Sequence, residues 1–288
     1  MPTPAKGSSD DPPLPAVGTR LEGSALGIDV GGTGVKAALV ELATGQLISE
    51  RVRIDTPQPA TPAAVIETIG TVVERLDAGG HLTPSTPAGC GVPAVVKYGR
   101  LKTAANIDPS WIDAPAEELI SARLGRPVLI LNDADAAGLA ELTYGAGVGS
   151  EGTVLLLTIG TGIGSALFVD GRLVPNTEFG HLEFHCRGAE TLLSGAARER
   201  RGLGWKAWAR QFSEFLAALE LYVSPDLIIL GGGVSKVMGK YEKHLRCRAP
   251  IVPARLLNTA GIVGAAMAGA NAAARRGDDG AAVDRDML

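Results

Sequence analysis

Apolar positions along the chain switch repeatedly between short runs and a helical spacing. The first runs, "ALGIDV" and "VKAALVEL", are separated by a glycine turn, and the turn "ATGQ" then leads into "TGQLISERVRI" as the second arm of a hairpin. The sequence therefore predicts three strands in succession. Apolar residues three and four apart in "TPAAVIETIGTVVERL", after a threonine and a proline, predict the first helix.

A similar order recurs in the second half of the chain. "GTVLLLTIGTGIGSALFVDGRLV" predicts a strand, a glycine turn and two more strands. Between the two halves, "GCGVPAVV" and "PVLILN" predict buried strands, "APAEELISARLG" predicts a helix that ends at Gly125, and "DADAAGLAEL" predicts another helix. Because hairpins accompany the strand–helix units, we expect mixed sheets. The pattern favours an α/β protein with two similar lobes and a cleft between them.

The remaining segments complete this division. "AETLLSGAARERR" and "GWKAWARQFSEFLAALELYV" predict helices, "DLIILGGG" and "PIVPARL" predict strands, and "AGIVGAAMAGANAAA" predicts a final helix. In the second of these helices an apolar stripe is expected to be core: Trp205, Trp208, Phe212, Phe215, Leu219 and Tyr222. The predicted division is a disordered arm at 1–23, a small lobe at 24–138 completed by helix 261–275, a large lobe at 139–260 and a disordered acidic tail at 276–288.

Composition excludes several classes of function. The 288-residue chain has a formal net charge of −4, which argues against a broad basic surface for nucleic acid. Its three cysteines lack CxxC spacing, so we expect a reducing compartment and a cytoplasmic location. No apolar run reaches the ~18 residues of a membrane span, and the first residues lack the apolar core of a signal peptide.

Three glycine-rich loops follow predicted strands. Glycines that adopt positive φ expose backbone N–H groups without a Cβ in the way, and such loops bind anions. Two Thr/Gly loops that face one another across a cleft would bind a chain of phosphates from both sides. Neither loop matches the Walker or the Rossmann pattern. The phosphate-binding candidates are Asp29, Gly31, Gly32, Thr33, Gly34 and Lys36, then Thr158, Gly160, Thr161, Gly162 and Gly164, and finally Gly231, Gly232 and Gly233.

These loops carry a family resemblance. "DVGGTGVKAALV" and "TIGTGIGSAL" resemble the phosphate loops of the sugar-kinase, actin and chaperone-ATPase superfamily, whose lobes are ribonuclease-H-like. "EFGH" and "ETLLSG" resemble the ROK family of glucokinases and sugar-responsive repressors. "GVPAVVKYGRLKTAANIDPSW", "LNDADAAGLAEL" and "NTAGIVGAA" are similar to the polyphosphate glucokinases within that family. The resemblance covers about residues 24–270 and implies a sugar kinase.

The resemblance also implies roles for individual residues. Asp133 would be the base that takes the proton from the C6 hydroxyl of the sugar, and Asn132 would hold a ring hydroxyl. A carboxylate at a helix N-terminus is expected to stay ionised. Asp135 is the alternative helix-capping or surface residue. The family's further sugar-binding positions match Asn106, Glu178, His181 and Glu190.

Metal binding has two parts. Asp29 would position Mg²⁺ near the phosphates through water. Many ROK proteins carry a zinc box with three cysteines, but in "HLEFHCRGAE" only Cys186 remains. His181, His185 and Cys186 could still form a site, although zinc requires three or four committed ligands, and we expect none.

The phosphoryl donor is open to two interpretations. ATP would need an adenine slot near "GGG" and the start of "AGIVGAA", whereas polyphosphate would need a basic track. One candidate track is Arg198, Arg200, Arg201, Lys206 and Arg210, and a second is Lys97, Arg100 and Lys102; either could instead be a solvated surface. The resemblance favours polyphosphate, with ATP as a second donor.

Other functions remain open. A strictly ATP-dependent glucokinase, or a hexokinase that also takes mannose, would keep every motif. A sugar-sensing ROK protein would be expected to lose the base, and a repressor would need an N-terminal DNA-binding module, for which the short Pro-rich arm offers no room. ROK relatives are commonly dimers, and the apolar stripe of the 204–222 helix would be wide enough to bury a second copy.

Overall fold

The structure is a computed structural model that describes Leu14, residues 21–104 and residues 107–285, the stretch 277–285 by its backbone alone. The strands are β1 (Ser24–Gly31), β2 (Gly34–Glu41), β3 (Gln46–Leu47), β4 (Val52–Ile54), β5 (Ala88–Val92), β6 (Val96–Lys97), β7 (Arg100–Leu101), β8 (Val128–Asn132), β9 (Thr153–Ile159), β10 (Ile163–Val169), β11 (Arg172–Val174), β12 (Glu183–Phe184), β13 (Arg187–Gly188), β14 (Leu227–Gly231) and β15 (Ile251–Pro253). The helices are α1 (Pro62–Leu76), α2 (Ala116–Leu124), α3 (Asp133–Tyr144), α4 (Ala189–Leu193), α5 (Gly195–Arg200), α6 (Trp205–Val223), α7 (Gly232–Ser235) and α8 (Ala260–Arg285).

Two mixed sheets form the framework of the molecule. The first has the order β3-β2-β1-β5-β8, with β4 also paired to β2, and the second has the order β11-β10-β9-β14-β15. In each sheet an antiparallel hairpin, β1–β2 or β9–β10, is followed by parallel strands. The α/β architecture and the repeated opening of the two halves therefore agree with the sequence pattern.

Helices α3 and α8 lie between the sheets. α8 packs against β1, β5 and α3, and α3 also contacts β10. Glycine makes the close approach of α8 feasible, because a Cβ on Gly27 or Gly89 would collide with the carbonyl oxygens of Ile262 or Ala265. Buried residues from one side of each sheet and from both helices form one continuous apolar cluster. These contacts support assigning α8 to the first lobe, and the division into lobes stays a prediction.

Several elements differ from their predicted bounds. The third strand is split into β3 and β4, and both pieces pair with β2. The segment "AETLLSGAARERR" forms two helices because Ser194 is extended and caps α5, its Oγ accepting the N–H of Ala197 at 3.1 Å. The predicted tail at 276–288 is helical through Arg285, since no proline interrupts the alanine-rich run; the arm at 1–23 lies mostly outside the described residues.

The aromatic stripe of α6 is core over most of its length. Trp208, Phe212 and Phe215 are buried, and Trp208 stacks on Phe212 with 4.7 Å between ring centroids. Tyr222 is 74% exposed because it lies in the last turn of α6, so including it in the stripe was wrong. The buried part of the stripe packs against residues of the second sheet and does not provide the dimer surface suggested by the sequence. In the described part of the chain, no helix has both the length and the apolar character needed to span a bilayer.

Candidate active site

The first glycine loop connects β1 to β2, and two side chains from a later segment of the chain hold it in place. Arg53 donates to the carbonyl of Thr33 at 2.8 Å, and Thr56 Oγ1 donates to the carbonyl of Gly31 at 2.6 Å. Gly34 leaves room for the Arg53 guanidinium, because a Cβ there would lie 2.7 Å from its Nε. Gly31, Gly32 and Gly34 do not adopt the left-handed φ that we expected, and at Gly34 the glycine serves close packing instead.

The second and third glycine loops lie side by side at the end of the second sheet. Gly231 pairs with Thr158, and Gly232 adopts φ 74°, a conformation in which a side chain would collide with the Ile159 backbone. Gly164 packs on the start of α3, because a Cβ would lie 2.9 Å from Cβ of Ala134. Space is open around Gly160, which is exposed, so the backbone of the second loop is accessible to a ligand.

The start of α3 places Asn132 and Asp133 between the first and second loops. Asn132 is the N-cap residue, since its Oδ1 accepts the N–H groups of Ala134 at 2.9 Å and Asp135 at 3.1 Å. Its Nδ2 donates to the carbonyl of Ala94 at 3.2 Å and approaches Glu178 Oε1 at 3.5 Å. The cap therefore fixes the side chain of Asn132 and leaves Asp133 as the first residue of the helix.

The charge of Asp133 differs from the sequence-based expectation. Burial, and then the negative charge of Asp29, raise the pKa of Asp133 to about 7; Glu178 adds to the rise, and hydrogen bonds from backbone N–H groups at the helix start oppose it. The helix N-terminus does not by itself keep this carboxylate fully ionised. A carboxylate with a pKa near neutrality is suited to accept a proton, because it is still largely ionised just above that pH.

Asp135 was expected to be a capping or surface residue, and this was wrong. It is 1% exposed, and its Oδ2 accepts the backbone N–H of Asn176 at 2.7 Å. Its Oδ1 is buried without a hydrogen-bond partner among the described atoms. Burial is the largest cause that raises the pKa of Asp135 to about 8, with Asp133 and Glu178 adding to it. The helical spacing of the sequence does not reveal that Asp135 is buried, because α3 is buried on nearly every side and has no single apolar face.

Three predicted sugar-binding residues form a chain of contacts. Nδ1 of His181 lies 3.5 Å from Oε2 of Glu178, and its Nε2 lies 3.3 Å from Oε1 of Glu190. Glu190 Oε2 also accepts the N–H of Ile163 at 3.1 Å, which connects this cluster to the second loop. Burial raises the pKa of Glu178; His181 opposes this rise and Glu190 adds to it. We call Asn132, Asp133, Glu178, His181 and Glu190 the sugar cluster. Asn106 lies outside the described residues.

Asp29 lies on β1 just before the first loop, near enough to Asp133 for its charge to raise the pKa of Asp133. Its Oδ2 forms an ion pair with Lys36 Nζ at 2.8 Å, and Gly261 at the start of α8 lies close to its carboxylate. Carboxylate oxygens are the ligands that Mg²⁺ prefers, and Mg²⁺ is often held by one carboxylate together with substrate phosphates. Asp29 fits that arrangement, and the described residues offer no group of three or more His, Cys, Asp or Glu side chains placed to hold a metal.

The residues of the reduced zinc box are separated in their contacts. His185 pairs with Glu214 at 3.1 Å, whereas His181 contacts Glu178 and Glu190. Cys186 is exposed, and both His185 and Cys186 have positive φ. Both imidazoles thus have carboxylate partners in the sugar cluster or on α6.

Several cations of the two predicted basic tracks make contacts within the protein, and in the described part of the chain only the others are free to meet a ligand. Arg198 lies 4.0 Å above the Trp205 ring and donates to the carbonyl of Leu203, and Arg201 donates to the carbonyl of Leu192 and to Gln211. Both therefore hold α5 in place, although Arg201 is exposed. Arg200, Lys206 and Arg210 are also exposed. In the second cluster, Lys102 pairs with Asp113 at 2.6 Å and Arg100 donates to the carbonyl of Asp113, and Lys97 is exposed.

Sequence reasoning missed residues that act through distant contacts. Asn176 accepts the N–H of Val96 at 2.8 Å and donates to its carbonyl at 2.9 Å, and its own N–H binds Asp135. It thereby joins the β6 hairpin to α3 and to the segment that carries Glu178. Arg53 likewise makes a distant contact, since it donates to the carbonyl of Thr33 in the first loop. No local spacing marks either residue, because each contacts partners at least 20 positions away.

Comparison with known proteins agrees with this geometry. The model of the ROK family matches residues 25–201. The chain is 50% identical over 252 residues to the polyphosphate glucokinase of Mycobacterium tuberculosis (strain CDC 1551 / Oshkosh), which covers 87% of this chain and 93% of that protein. The crystal structure of an inorganic polyphosphate/ATP-glucomannokinase from Arthrobacter sp. strain KM matches with a TM-score of 0.83 and 50% identity, over 85% of this chain and 98% of the other.

A further structure is that of a ROK family glucokinase from Streptomyces griseus in complex with glucose and AMPPNP. It matches with a TM-score of 0.71 and 27% identity, over 85% of this chain and 98% of the other. These matches confirm the predicted fold class, the α/β architecture of the actin and sugar-kinase superfamily. The chain belongs to the ROK family.

Proposed function

We propose that this chain phosphorylates glucose at the C6 hydroxyl with inorganic polyphosphate or ATP as the donor, giving glucose 6-phosphate. The similarity to polyphosphate glucokinases and to a polyphosphate/ATP-glucomannokinase supports this assignment. The observation that carries it is the environment of Asp133, which directly follows Asn132, a residue in contact with Glu178. Asp133 has a pKa of about 7 and is near enough to Glu178 and to Asp29 of the first loop for both charges to raise that pKa. A proton acceptor therefore stands where sugar and donor would meet.

Asp133 acts as the general base. Its carboxylate takes the proton of the C6 hydroxyl as that oxygen attacks the terminal phosphorus of the donor. The bond from that phosphorus to the bridging oxygen breaks, and the donor leaves as ADP or as a polyphosphate shorter by one phosphate. The developing charge is spread over the phosphoryl oxygens, so positioning and electrostatic stabilisation supply most of the acceleration.

The remaining members of the sugar cluster orient the sugar. Asn132, Glu178, His181 and Glu190 supply donors and acceptors for ring hydroxyls, and Asn106 is proposed to line the same pocket. The contacts of His181 with two glutamates fix its ring before sugar arrives. Such a prearranged set discriminates against analogues that lack a hydroxyl, because a buried polar group would then be left unpaired. Mannose is proposed as a weaker acceptor.

The glycine loops and Asp29 hold the donor. The exposed backbone at Gly160 and Thr161 faces solvent and is proposed to bind phosphate oxygens together with Thr33 and the third loop. Mg²⁺, when bound, neutralises phosphate charge, and Asp29 is the residue that would hold it. Lys36 keeps Asp29 oriented through their ion pair and is available to phosphate.

Three weaker proposals accompany this function. We propose no structural zinc, and elemental analysis that finds one tightly held zinc per chain would contradict this. A homodimer is proposed by analogy with relatives alone, and light scattering at micromolar concentration tests it. A cytoplasmic location is proposed from the three free cysteines, and cell fractionation tests it.

The experiment that tests the function is a set of initial rates with long polyphosphate and with ATP, each against glucose, mannose and an amino sugar. Turnover of glucose with both donors is expected. Turnover with ATP alone would make the chain a strictly ATP-dependent kinase, and sugar binding without turnover would make it a sugar sensor. Stronger activity on the amino sugar than on glucose would contradict the proposed acceptor.

A further inference from the structure

A group of cations lies on the large lobe outside the sugar cluster. Lys206 and Arg210 lie on α6, and Lys243 and Arg246 lie in the turn at 242–246. His244 stands among them, since its pKa is lowered first by partial burial and then by the positive charges of all four. Each cation is near enough to act on the same imidazole, and all four side chains are exposed. We call Lys206, Arg210, Lys243 and Arg246 the basic patch.

Rigid contacts hold the two halves of the basic patch together. The Tyr241 ring stacks on Trp205, with 5.3 Å between centroids and 22° between planes, and it meets Trp208 edge-on at 5.0 Å. Ser213 Oγ accepts the backbone N–H of Arg246 at 2.9 Å. The spacing between the cations of α6 and those of the turn is therefore set by buried side chains, and the patch exists before any ligand arrives.

The four charges are not neutralised within the described part of the chain. All four side chains are exposed, and none forms an ion pair there. Arg246 donates to the carbonyls of Lys243 and Leu245, which leaves its charge in place. Glu242 belongs to the same turn but pairs with none of them, and Glu214 on α6 pairs with His185. Like charges held together repel one another, so a polyanion would be favoured on this surface.

Contacts along α5, α6 and Tyr241 connect the second and third glycine loops to the elements that carry the basic patch. The carbonyl of Gly160 accepts the N–H of Ala196 at 3.2 Å, so α5 starts at the second loop. Arg198, near the end of α5, lies over Trp205 at the start of α6. Tyr241 O–H donates to the carbonyl of Val234 at 3.2 Å, just after the third loop. A short series of contacts thus connects the elements that carry the patch to the second and third loops, which are proposed to hold the donor together with the first.

We propose that the basic patch binds the distal part of a long polyphosphate chain while the terminal phosphate lies at the glycine loops. The inference rests on the proposed function, because it presumes polyphosphate as a donor. ATP and short oligophosphates end before the patch and do not depend on it. The surface extends the predicted track from α5 and α6 onto the 242–246 turn, which the sequence analysis did not single out.

The test replaces both lysines, Lys206→Gln with Lys243→Gln, because neither side chain has a hydrogen bond or ion pair among the residues described and the fold should persist. The matched control is Arg51→Gln with Arg75→Gln, two exposed cations of the other lobe. A third variant, Lys206→Arg with Lys243→Arg, keeps the charge. KM is measured for long polyphosphate, tripolyphosphate and ATP, and direct binding of long polyphosphate is measured by gel shift.

The lysine-to-glutamine variant is expected to raise KM for long polyphosphate by about fivefold, the order expected of two exposed charge contacts, while KM for the short donors is retained. The charge-keeping variant should restore the wild-type value. Unchanged KM, or an equal rise for all three donors, would overturn the proposed role of the basic patch and leave the proposed function standing. If wild type uses only ATP, the proposed donor itself is wrong. Patch-dependent binding of single-stranded nucleic acid without binding of polyphosphate would also overturn the inference.

Discussion

His181 lies within 3.5 Å of a glutamate on either side of its ring, whereas Lys206 and Lys243 lie in solvent with no acid paired to them among the described residues. In the sugar cluster, contacts link Asn132, Glu178, His181 and Glu190 to one another, so removing one side chain leaves its partners unsatisfied. In the basic patch each charge acts through a field that water and salt weaken. The acceptor side should therefore respond steeply to single substitutions, and the donor side should respond gradually.

The largest effect is expected at Asp133. Asp133→Asn should lower kcat by about 10²–10⁴-fold, because a general base contributes that much, while glucose affinity stays within about tenfold. Steady-state kinetics and glucose titration measure the two quantities. Asp170→Asn, at an exposed aspartate with φ 48°, is the control and should leave both unchanged. A variant of Asp133 that keeps more than a tenth of kcat would exclude the residue as the base.

The next effect is expected at Glu190, which contacts both His181 and the second loop. Glu190→Gln should raise KM for glucose by about 10–100-fold, since hydrogen bonds to charged groups contribute about 1.5–3 kcal/mol. The exposed Glu183→Gln on β12 is the control. A change of less than threefold in KM would mean that the cluster is not fixed by mutual contacts, and the contrast with the basic patch would fail.

The two regions also differ in how far the sequence could predict them. The glycine loops and the "ND" at the start of α3 can be recognised from a few consecutive residues. The strands and the helix next to them were predicted close to their actual bounds. The environment of Asp133 and Asp135 could not be predicted, because it depends on burial between two sheets and on the charge of Asp29. The left-handed φ expected for Gly31, Gly32 and Gly34 was wrong, and Gly34 instead makes room for the Arg53 side chain. The proximity of the 242–246 cations to α6 could not be predicted either, because it depends on contacts that Tyr241 and Ser213 make across the fold.

The pH profile should separate the regions as well. Because Asp133 must be ionised and its pKa is about 7, kcat/KM should fall toward acid pH with a midpoint near that value. Below it the rate should fall about tenfold per pH unit. Rates measured from acid to alkaline pH with ATP as the donor test this. The neutralised lysine variant should show the same midpoint, and a midpoint near the ordinary value of an aspartate would contradict the assigned environment.

A smaller effect is expected at Asp135, in the free energy of unfolding. Its pKa is raised on folding from 3.8 to about 8. The folded state thus binds the proton more tightly, so wild-type stability is complete below the unfolded pKa and is lost as pH rises through about 8. Asp135→Asn has no charge to bury and can still accept the N–H of Asn176. It should be more stable than wild type at alkaline pH by at least about 1.4 kcal/mol, the equivalent of one pKa unit. Urea unfolding measures this, and a difference that does not grow from acid to alkaline pH would contradict it.

The smallest effect is expected at Arg200, which belongs to the donor side but stands beside two arginines with structural contacts. Arg198 covers Trp205 and Arg201 donates to Leu192 and Gln211, so replacing either would disturb α5 as well as remove a charge. Arg200 is exposed, and Arg200→Gln should remove charge alone. We expect a rise of about twofold in KM for long polyphosphate, with KM for ATP unchanged, as is typical of one exposed contact.

Salt provides the control for this last prediction, because exposed charges are screened over about 8 Å at physiological ionic strength. Raising the salt concentration should lift KM for long polyphosphate in wild type and shrink the difference between wild type and Arg200→Gln. Arg201→Gln serves as the comparison variant, and it should lose thermal stability as well, which Arg200→Gln should not. If both variants change KM equally for polyphosphate and ATP, the α5 arginines act by holding the second loop in place. The polyanion surface would then begin at Lys206 and Lys243.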